Sequence, residues 1–556
     1  MITGDSRASF VLSNQDRMYS QRANFNVLWQ QVSERVLPNY SDFIQKHVEG
    51  QKRTNRVFES TATLALEHFC AALESMLCPA SSRWHKLRPA DPSLQDDIEI
   101  QQYMDMVTDA LFRARYAPSA NFQSQIHESF CQIGAFGNGP MLIDDVVGYG
   151  LRYRALHLAE TYGMENAAGV IDHVQREYQL TAQACVDAEK RGMFDVGALP
   201  QVIKDMADKE PGHHYTFIHA VYPNQERKIR AKDHTGMGFS SCLVSKDFRV
   251  TLKESGYTSQ PMMIPRYRVA PKEVYGRGPC VDVLPDILML QEMEKTNIRQ
   301  RQRAMDPPWL TYEDMPAFDF RSNSLNPGTM SADGKPLMMA LQSASNFDAG
   351  KEEMDQKRKI IERALLVDIF SILIQQPQMT ATEVLQRAQE KGQLLAPIIG
   401  RIQSELFGPM ITRELDILHR AGQLPPPPDK LRKLGNLDYE IVYESQIQVA
   451  QKQSKALAIN LVLQQAAPLF QADPTVVKNI NMQRTLRILA DSNGAPAGMM
   501  NTDEEMQQTD AAAAEQQNMA NLAQIAGPAS AAIKNLAQAQ QAGGAASPGN
   551  LMGAQQ

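Results

Sequence analysis

At 556 residues the chain is too long for one ordinary core, and its length predicts roughly two to four domains or lobes. A formal charge of −7 excludes general adhesion to nucleic acid or to an anionic membrane, so any DNA contact must be local. The six cysteines form no C-x-x-C pair and show neither disulfide-framework nor zinc spacing, so they are read as reduced structural thiols of a cytosol-made protein.

The opening stretch MITGDSRASFVLSNQ carries no signal-peptide pattern, and no apolar run reaches the roughly 18 residues of a membrane span. A soluble chain with no membrane partner is expected. The first clear helix is NFNVLWQQVSERVLP, where Phe25, Leu28, Val32 and Val36 keep helical spacing until Pro38. A second helix, RVFESTATLALEHFCAALESMLCP, puts Phe58, Thr61, Ala65, Phe69, Ala72 and Met76 on one face and stops at Pro79. SSRWHKLRP reads as extended. Helices are predicted at about 97–115 and 119–133, the latter ending at the glycines of QIGAFGNGP. Between Met141 and Tyr267, MLIDD, LRYRALHL, VIDHVQREYQL, YTFIHAVYP and PMMIPRYRVA are short alternating or β-branched runs, which predict a mixed α+β lobe.

After Gly278-Pro279 the pattern turns helical. Asp282 is the expected cap, Pro285 falls in the first turn, and the helix should run to about Ala304. Residues 305–350 hold Pro307-Pro308, Pro316, Asn326-Pro327-Gly328 and Asp333-Gly334, a density of turn signals that allows only short strands. KEEMDQKRKIIERALLVDIFSILI predicts a helix over about 351–374. Beyond QQPQMTATEV a helical region reaches about 421, with kinks expected at Pro397, Gly400 and Gly408-Pro409. The prolines 425–428 form a stiff spacer, 443–490 is helical again, and from Asn501 the composition collapses to Ala, Gln, Met and Gly. That tail has too little bulky apolar surface for its own core; it is either disordered or a helix that needs copies of itself alongside.

Enzyme motifs are missing. GAFGNG lacks the lysine and the strand-to-helix context of a phosphate loop and reads as a turn between a helix and a strand. His213, His214 and His219 share no helix face that would aim two imidazoles at one ion, and are read as structural or exposed. Asp144-Asp145 at a strand end would be the metal ligands of a nuclease, and otherwise form a solvated strand end. No cofactor is expected. Lys295, Arg299 and Arg303 recur every four residues on one side of a helix, while Lys351, Lys357, Arg358, Lys359 and Arg363 are expected near the same end of the helix pair. Together they suggest a phosphate-facing collar beside the insert; the other readings are a solvated face partnered by Glu292 and Glu294, and salt bridges between copies of the chain with Glu292, Glu294 or Glu353.

Several segments in fixed order carry a family resemblance: WQQVSERVLP, SSRWHKLRP, FGNGPMLIDD, YGRGPCVDVLPDILMLQEM, DPPWL and the NPG turn. They are followed by MTATEVLQRAQEKGQLLAPIIGRIQSELFGPMITRELDILHRAGQLPPPP and YEIVYESQIQVAQK. Over about residues 20–500 the chain resembles the podovirus-type head-to-tail connector, or portal, family of tailed bacteriophages. The resemblance implies a mainly α fold with a mixed α+β wing lobe, assembling as a ring. It implies a wing over 1–280, stem helices at 283–304 and 351–373, and a clip at 305–350 that includes Pro307, Pro308, Trp309 and Leu310. A tunnel loop at 374–384 would include Gln375, Gln376, Gln378, Met379 and Thr380. Wing and crown helices would follow over 385–500, with a barrel helix or disordered tail at 501–556.

The implied partners are copies of itself in a ring of about twelve, double-stranded DNA without sequence specificity, the terminase large subunit, tail adaptor and tail-tube proteins, and the major capsid and scaffolding proteins. The implied location is the portal vertex of the virion, after assembly in the host bacterial cytoplasm. An acidic ring should repel duplex DNA, as a conduit must, and Lys295, Arg299, Arg303, Lys357 and Arg363 are the expected channel-facing charges that centre or retain it. A metal-dependent phage nuclease and an internal scaffold or ejection protein are the alternatives.

Overall fold

The computed structural model describes residues 5–367, apart from 46–47, 96, 147–149, 229–230, 232, 312–317 and 342–346. It also describes 395–434, 438–444, 456–466 and 485–490 without 487. The chain divides into two compact units. One comprises Met1–Lys86, Val107–Pro425 and Ile441–Gln451, and the other Leu87–Met106, Pro426–Glu440 and Lys452–Gln556.

Helix α1 (Ser6–Val36) begins eighteen residues before the first segment with clear apolar spacing, at Asp5, whose carboxylate accepts from the Arg7 amide. Its early turns bury Ala8, Val11, Gln15, Met18 and Arg22 at helical intervals. Two of those five are polar, so the apolar period is hidden. Arg22 is buried without a carboxylate; it donates to the carbonyls of Leu158, Ala159 and Thr161 at 2.6–2.9 Å and stacks 3.8 Å over the Tyr162 ring.

Helix α2 (Thr61–Leu77), strand β1 (His85–Pro89), helix α3 (Ile98–Arg115) and helix α4 (Phe122–Phe136) follow. The buried face of α2 is Ala62, Ala65, Leu66, Phe69, Cys70, Leu73 and Leu77. It is rotated from the expected stripe, and Phe58 lies outside the helix. A three-stranded sheet has the order β3 (Gly150–Ala155), β2 (Met141–Val146), β9 (Met262–Met263).

The larger sheet is a five-stranded antiparallel meander: β4 (Thr161–Glu165), β5 (Ile171–Thr181), β6 (His214–Pro223), β7 (Phe239–Ser245) and β8 (Val250–Tyr257). Period-two alternation gives it two apolar faces. Tyr215 and Phe217 of β6 pack under α5 (Ala182–Lys190) and α6 (Gln201–Lys209), with Cys185, Phe194, Leu199 and Ile203. Ile218 and Ala220 turn the other way, onto Ala8 and Val11 of α1. The long first helix and the sheet therefore form one core.

Two glycine turns join this core to the next helices. Gly137 caps α4 at φ +86°, and an added Cβ there would lie 2.5 Å from backbone atoms of Arg277 and Gly278. Asn138 locks the contact: its Oδ1 accepts from the Gly276 amide at 2.8 Å and its Nδ2 donates to the Gly276 carbonyl at 3.0 Å. The FGNG turn is thus filled by protein backbone, in agreement with its reading as a turn. Helix α7 (Pro279–Asp282) and helix α8 (Leu284–Met305) leave from this junction. The residue before α8 is Val283, and Asp282 pairs with Arg268 at 3.2 Å instead of capping the helix. Next come β10 (Trp309–Thr311), β11 (Met338–Ala340) and α9 (Phe347–Ala364).

After helical residues 395–402, a π-helical turn at Gln403–Phe407 runs into α10 (Gly408–Arg420). Pro409 has no amide hydrogen to return to the Glu405 carbonyl, and the widened turn accommodates it. Glu405 then reaches Arg266 at 2.7 Å, which also contacts Glu165 at 3.3 Å. In the second unit Lys430, in α11 (Asp429–Leu434), pairs with Asp97 and Glu99 at 2.9 and 3.1 Å.

Candidate functional site

The basic helices α8 and α9 pack as an antiparallel pair whose register is set by polar side chains. Lys357 Nζ lies 2.8 Å from Asp286 Oδ1, placing the middle of α9 beside the first turn of α8. Buried Gln291 acts as a surrogate peptide: its Oε1 accepts from the Phe58 and Glu59 amides at 2.6 and 3.0 Å, and its Nε2 donates to the Glu59 carbonyl at 2.6 Å. Glu59 Oε1 accepts from Arg358 Nε at 3.2 Å. One short segment before α2 therefore holds both helices.

This register corrects the expected collar. Because α9 runs back along α8, Lys357 and Arg363 lie toward the start of α8, and Arg299 and Arg303 lie toward its end beside the insert. Lys357 and Arg363 are thus set apart from Arg299 and Arg303, while Lys351, near the start of α9, stays toward the insert. Lys295 donates to Glu292 at 2.9 Å within its own helix and sits over the Phe58 ring at 5.6 Å. The hydrogen bond from Lys295, helped by Arg299 and Arg35, holds the Glu292 carboxyl below its usual range. Arg299, Arg301, Arg303 and Arg363 are exposed.

Helix α9 ends earlier than expected. After Ala364 the chain turns, with Leu366 at φ +61°, a left-handed conformation costing a non-glycine residue about 1–2 kcal/mol. Residues 368–373 of the expected helix, the tunnel-loop residues Gln375, Gln376, Gln378, Met379 and Thr380, and the tail 501–556 lie outside the described residues.

In the insert, β10 and β11 pair antiparallel, Trp309 opposite Ala340 and Leu310 opposite Met339, and the Leu341 amide donates to the Pro308 carbonyl at 2.9 Å. Pro307 and Pro308 lead from α8 into this ribbon. Trp309 and Leu310 remain 43% and 49% exposed, and Trp309 groups with Phe318 and Phe320 at ring distances of 4.7–6.4 Å. A two-stranded ribbon presenting such a cluster to water lacks the covering layer that usually stabilises it.

The residues weighed for chemistry are occupied or dispersed. Asp144 Oδ1 lies 3.2 Å from Arg413, a guanidinium buried against the Tyr257 ring and reaching the Ile143 carbonyl, so the acid serves an internal ion pair. His213 meets the Tyr215 ring edge-on and His214 is exposed, while His219 is half-buried and bonded to Ser241 at 2.9 Å. Burial, then Arg176, pushes His219 down to about 4. Among the described residues the one group of histidine, cysteine and acid close enough to share an ion is Glu67, His127 and Cys131. The cysteine spacing gave no hint of it; the signal is His127 and Cys131 four apart on one helix.

The family model for the bacteriophage head to tail connecting protein matches residues 10–500. The chain belongs to that family. It is a head-to-tail connector of tailed bacteriophages, a structural protein and not an enzyme. A probable portal protein of Bordetella phage BPP-1 is 24% identical over 505 residues, 87% of each chain. A portal protein of Salmonella phage epsilon15 is 22% identical over 547 residues, 95% of each. Among solved structures, the neck of an empty GTA particle computed with C6 symmetry aligns at 11% identity and a TM-score of 0.34, covering 72% of this chain and 84% of that one. No described helix is long and apolar enough to cross a membrane.

Proposed function

We propose that the connector works as a portal: a closed ring of about twelve copies at one capsid vertex, through whose channel duplex DNA is packaged and later ejected. The observation that carries this reading is the antiparallel pair α8–α9, joined by a polar-turn insert with an exposed aromatic cluster. In that reading the pair is the stem and the insert is the clip. The clip is covered by neighbouring subunits and meets first the terminase large subunit and later tail adaptor and tube proteins. The α+β core up to about residue 280 is the wing, 374–384 the tunnel loop, and 385–500 the remaining wing and crown. The ring also nucleates the procapsid with the major capsid and scaffolding proteins, in the host bacterial cytoplasm.

Within the stem, Arg299, Arg303 and Arg363 are, of the expected channel charges, the ones left exposed. Lys295 and Lys357 serve intrachain pairing, which leaves each only a share of its charge for phosphate. Few phosphates are then neutralised at once, which suits a duplex that must slide. End-on electron micrographs of the purified protein test the reading: rings of about twelve with a central hole support it, and monomers or dimers under assembly conditions reject it.

A further inference from the structure

Helices α2 and α4 approach closely enough that a Cβ on Gly134 would lie 2.5 Å from Leu66 and 2.9 Å from Phe69. Facing each other beside that contact are Glu67, Cys70 and Glu74 of α2 and His127 and Cys131 of α4, each set on one helical face. We propose that this cluster is a zinc site, with His127 Nε2, Cys131 Sγ and a Glu67 carboxylate oxygen as ligands and a fourth position open to solvent or to the Cys70 thiol.

Three observations carry it. The three ligand atoms lie within 4.8 Å of one another, and Nε2 of His127 is 3.6 Å from Glu67 Oε2. That distance is too long for a hydrogen bond. It matches the ligand-to-ligand edge of a tetrahedral site, about 3.3–3.8 Å for metal bonds of about 2.0–2.3 Å. The other ring nitrogen, Nδ1, lies 3.1 Å from Glu74 Oε2. A carboxylate there orients the imidazole, keeps the proton on Nδ1 and turns the Nε2 lone pair toward Glu67 and Cys131, the second-shell arrangement of zinc-bound histidines. Finally, Cys131 is buried while His127 is about one-third exposed and Glu67 more than half exposed, so an ion can enter from solvent and meet a sulfur shielded from it.

Sulfur and imidazole with one carboxylate favour zinc over magnesium or calcium, which take oxygen ligands. Cys70 is buried on the same face of α2 and interacts with Cys131, so a second sulfur stands beside the same cluster. Binding releases the Cys131 proton to water and ties α2 to α4. The two helices then gain a staple at the place where their backbones come closest.

The test loads the full-length protein with zinc chloride by equilibrium dialysis, and in parallel with cobalt chloride as a spectroscopic probe. The expected result is one zinc per chain, with cobalt giving intense tetrahedral visible bands and a thiolate charge-transfer band. Cys131→Ser should weaken the charge-transfer band, Cys131→Ser with Cys70→Ser should abolish it, and His127→Ala should abolish stoichiometric binding. Glu74→Gln should weaken binding about 10- to 100-fold, as loss of an orienting partner does. Glu67→Gln alters an exposed side chain and should fold normally while losing affinity. His68→Ala, an exposed neighbour on α2, should change nothing. Absence of bound metal, an octahedral cobalt spectrum, or binding by His127→Ala and Glu67→Gln equal to that of the unaltered protein overturns the proposal.

Discussion

Lys357 of α9 is held 2.8 Å from Asp286 of α8, and this pair, with α9 also packed on α7, fixes how the basic helices run along each other. Arg303 is thereby placed at the insert end and Arg363 at the other. Reversing Lys357 to Glu puts like charges in contact at a half-exposed site and should lower stability by about 1 kcal/mol. Arg299→Glu with Arg303→Glu should leave stability within about 0.5 kcal/mol, since both are exposed, while reducing DNA packaging or retention in assembled heads. Thermal melts and a packaging assay on the same variants separate the two; loss of ring assembly in the double arginine variant would sink the division of roles.

Glycine contacts at the core junction offer a sharper contrast. Gly137→Ala adds a Cβ that meets backbone at 2.5 Å and also stands at φ +86°. At Gly50 the φ is +71° but nothing lies within 4 Å. Gly50→Ala should therefore cost about 1–2 kcal/mol of left-handed strain, and Gly137→Ala several times more or no folded protein at all. Soluble expression and denaturant midpoints measure the difference.

Deep in the first unit, Arg115 donates to both Glu414 oxygens at 3.0 and 2.6 Å, Tyr153 bonds the same carboxylate, and His85 lies 2.9 Å from the guanidinium. Burial would lower the Arg115 pKa, but the Glu414 charge overrides it and raises the value. Glu414→Gln strands a buried cation and should cost about 3–5 kcal/mol. The double change Arg115→Met, Glu414→Leu should cost less than that single one, and a double-mutant cycle reads the coupling directly.

His157, His173 and His219 are pushed down to about 4, chiefly by burial. Below about pH 6.5 the unfolded chain takes up a proton at each of them that the folded chain refuses until about pH 4. The unfolded state binds more protons across that window, so stability falls as the pH drops from about 6.5 toward 4. Melting temperatures should decline over this range and be flatter above it. His219→Gln should reduce the slope; an unchanged slope would remove His219 from the account.

The exposed Trp309 and Leu310 should matter for assembly more than for the chain's own fold. Trp309→Ser with Leu310→Ser should leave the melting temperature of the monomeric chain nearly unchanged and impair ring closure or docking, scored by particle counts in micrographs. A large fall in monomer stability would show that the ribbon carries its own core.

Much of the fold was legible because bulky apolar residues recur at helical or strand intervals. Examples are the second half of α1, the strand runs of the sheet, and the long helix entered through Pro285. The first half of α1 was hidden because Gln15 and Arg22 occupy buried positions where the pattern needs apolar ones, and Arg22 is tolerated only because three carbonyls receive it. Strands β4, β7 and β8 and helices α5 and α6 sit between stronger signals, and their apolar residues gain meaning only from the sheet they complete. The ordered string of FGNGP, YGRGP and DPPWL pointed to the family, and the first two meet through Asn138 and Gly276.

From the sequence alone came the family, the absence of enzyme motifs and the presence of a turn-rich insert between basic helices, because these depend on composition, order and local period. The tertiary structure decided where along the α8–α9 pair the basic residues stand, which acids are engaged by arginine, and that Glu67, His127 and Cys131 converge. Those facts depend on side chains distant in sequence meeting across packed helices. Local propensity carries no information about such meetings, whereas close packing and the need to pair every buried charge fix them once the chain is folded.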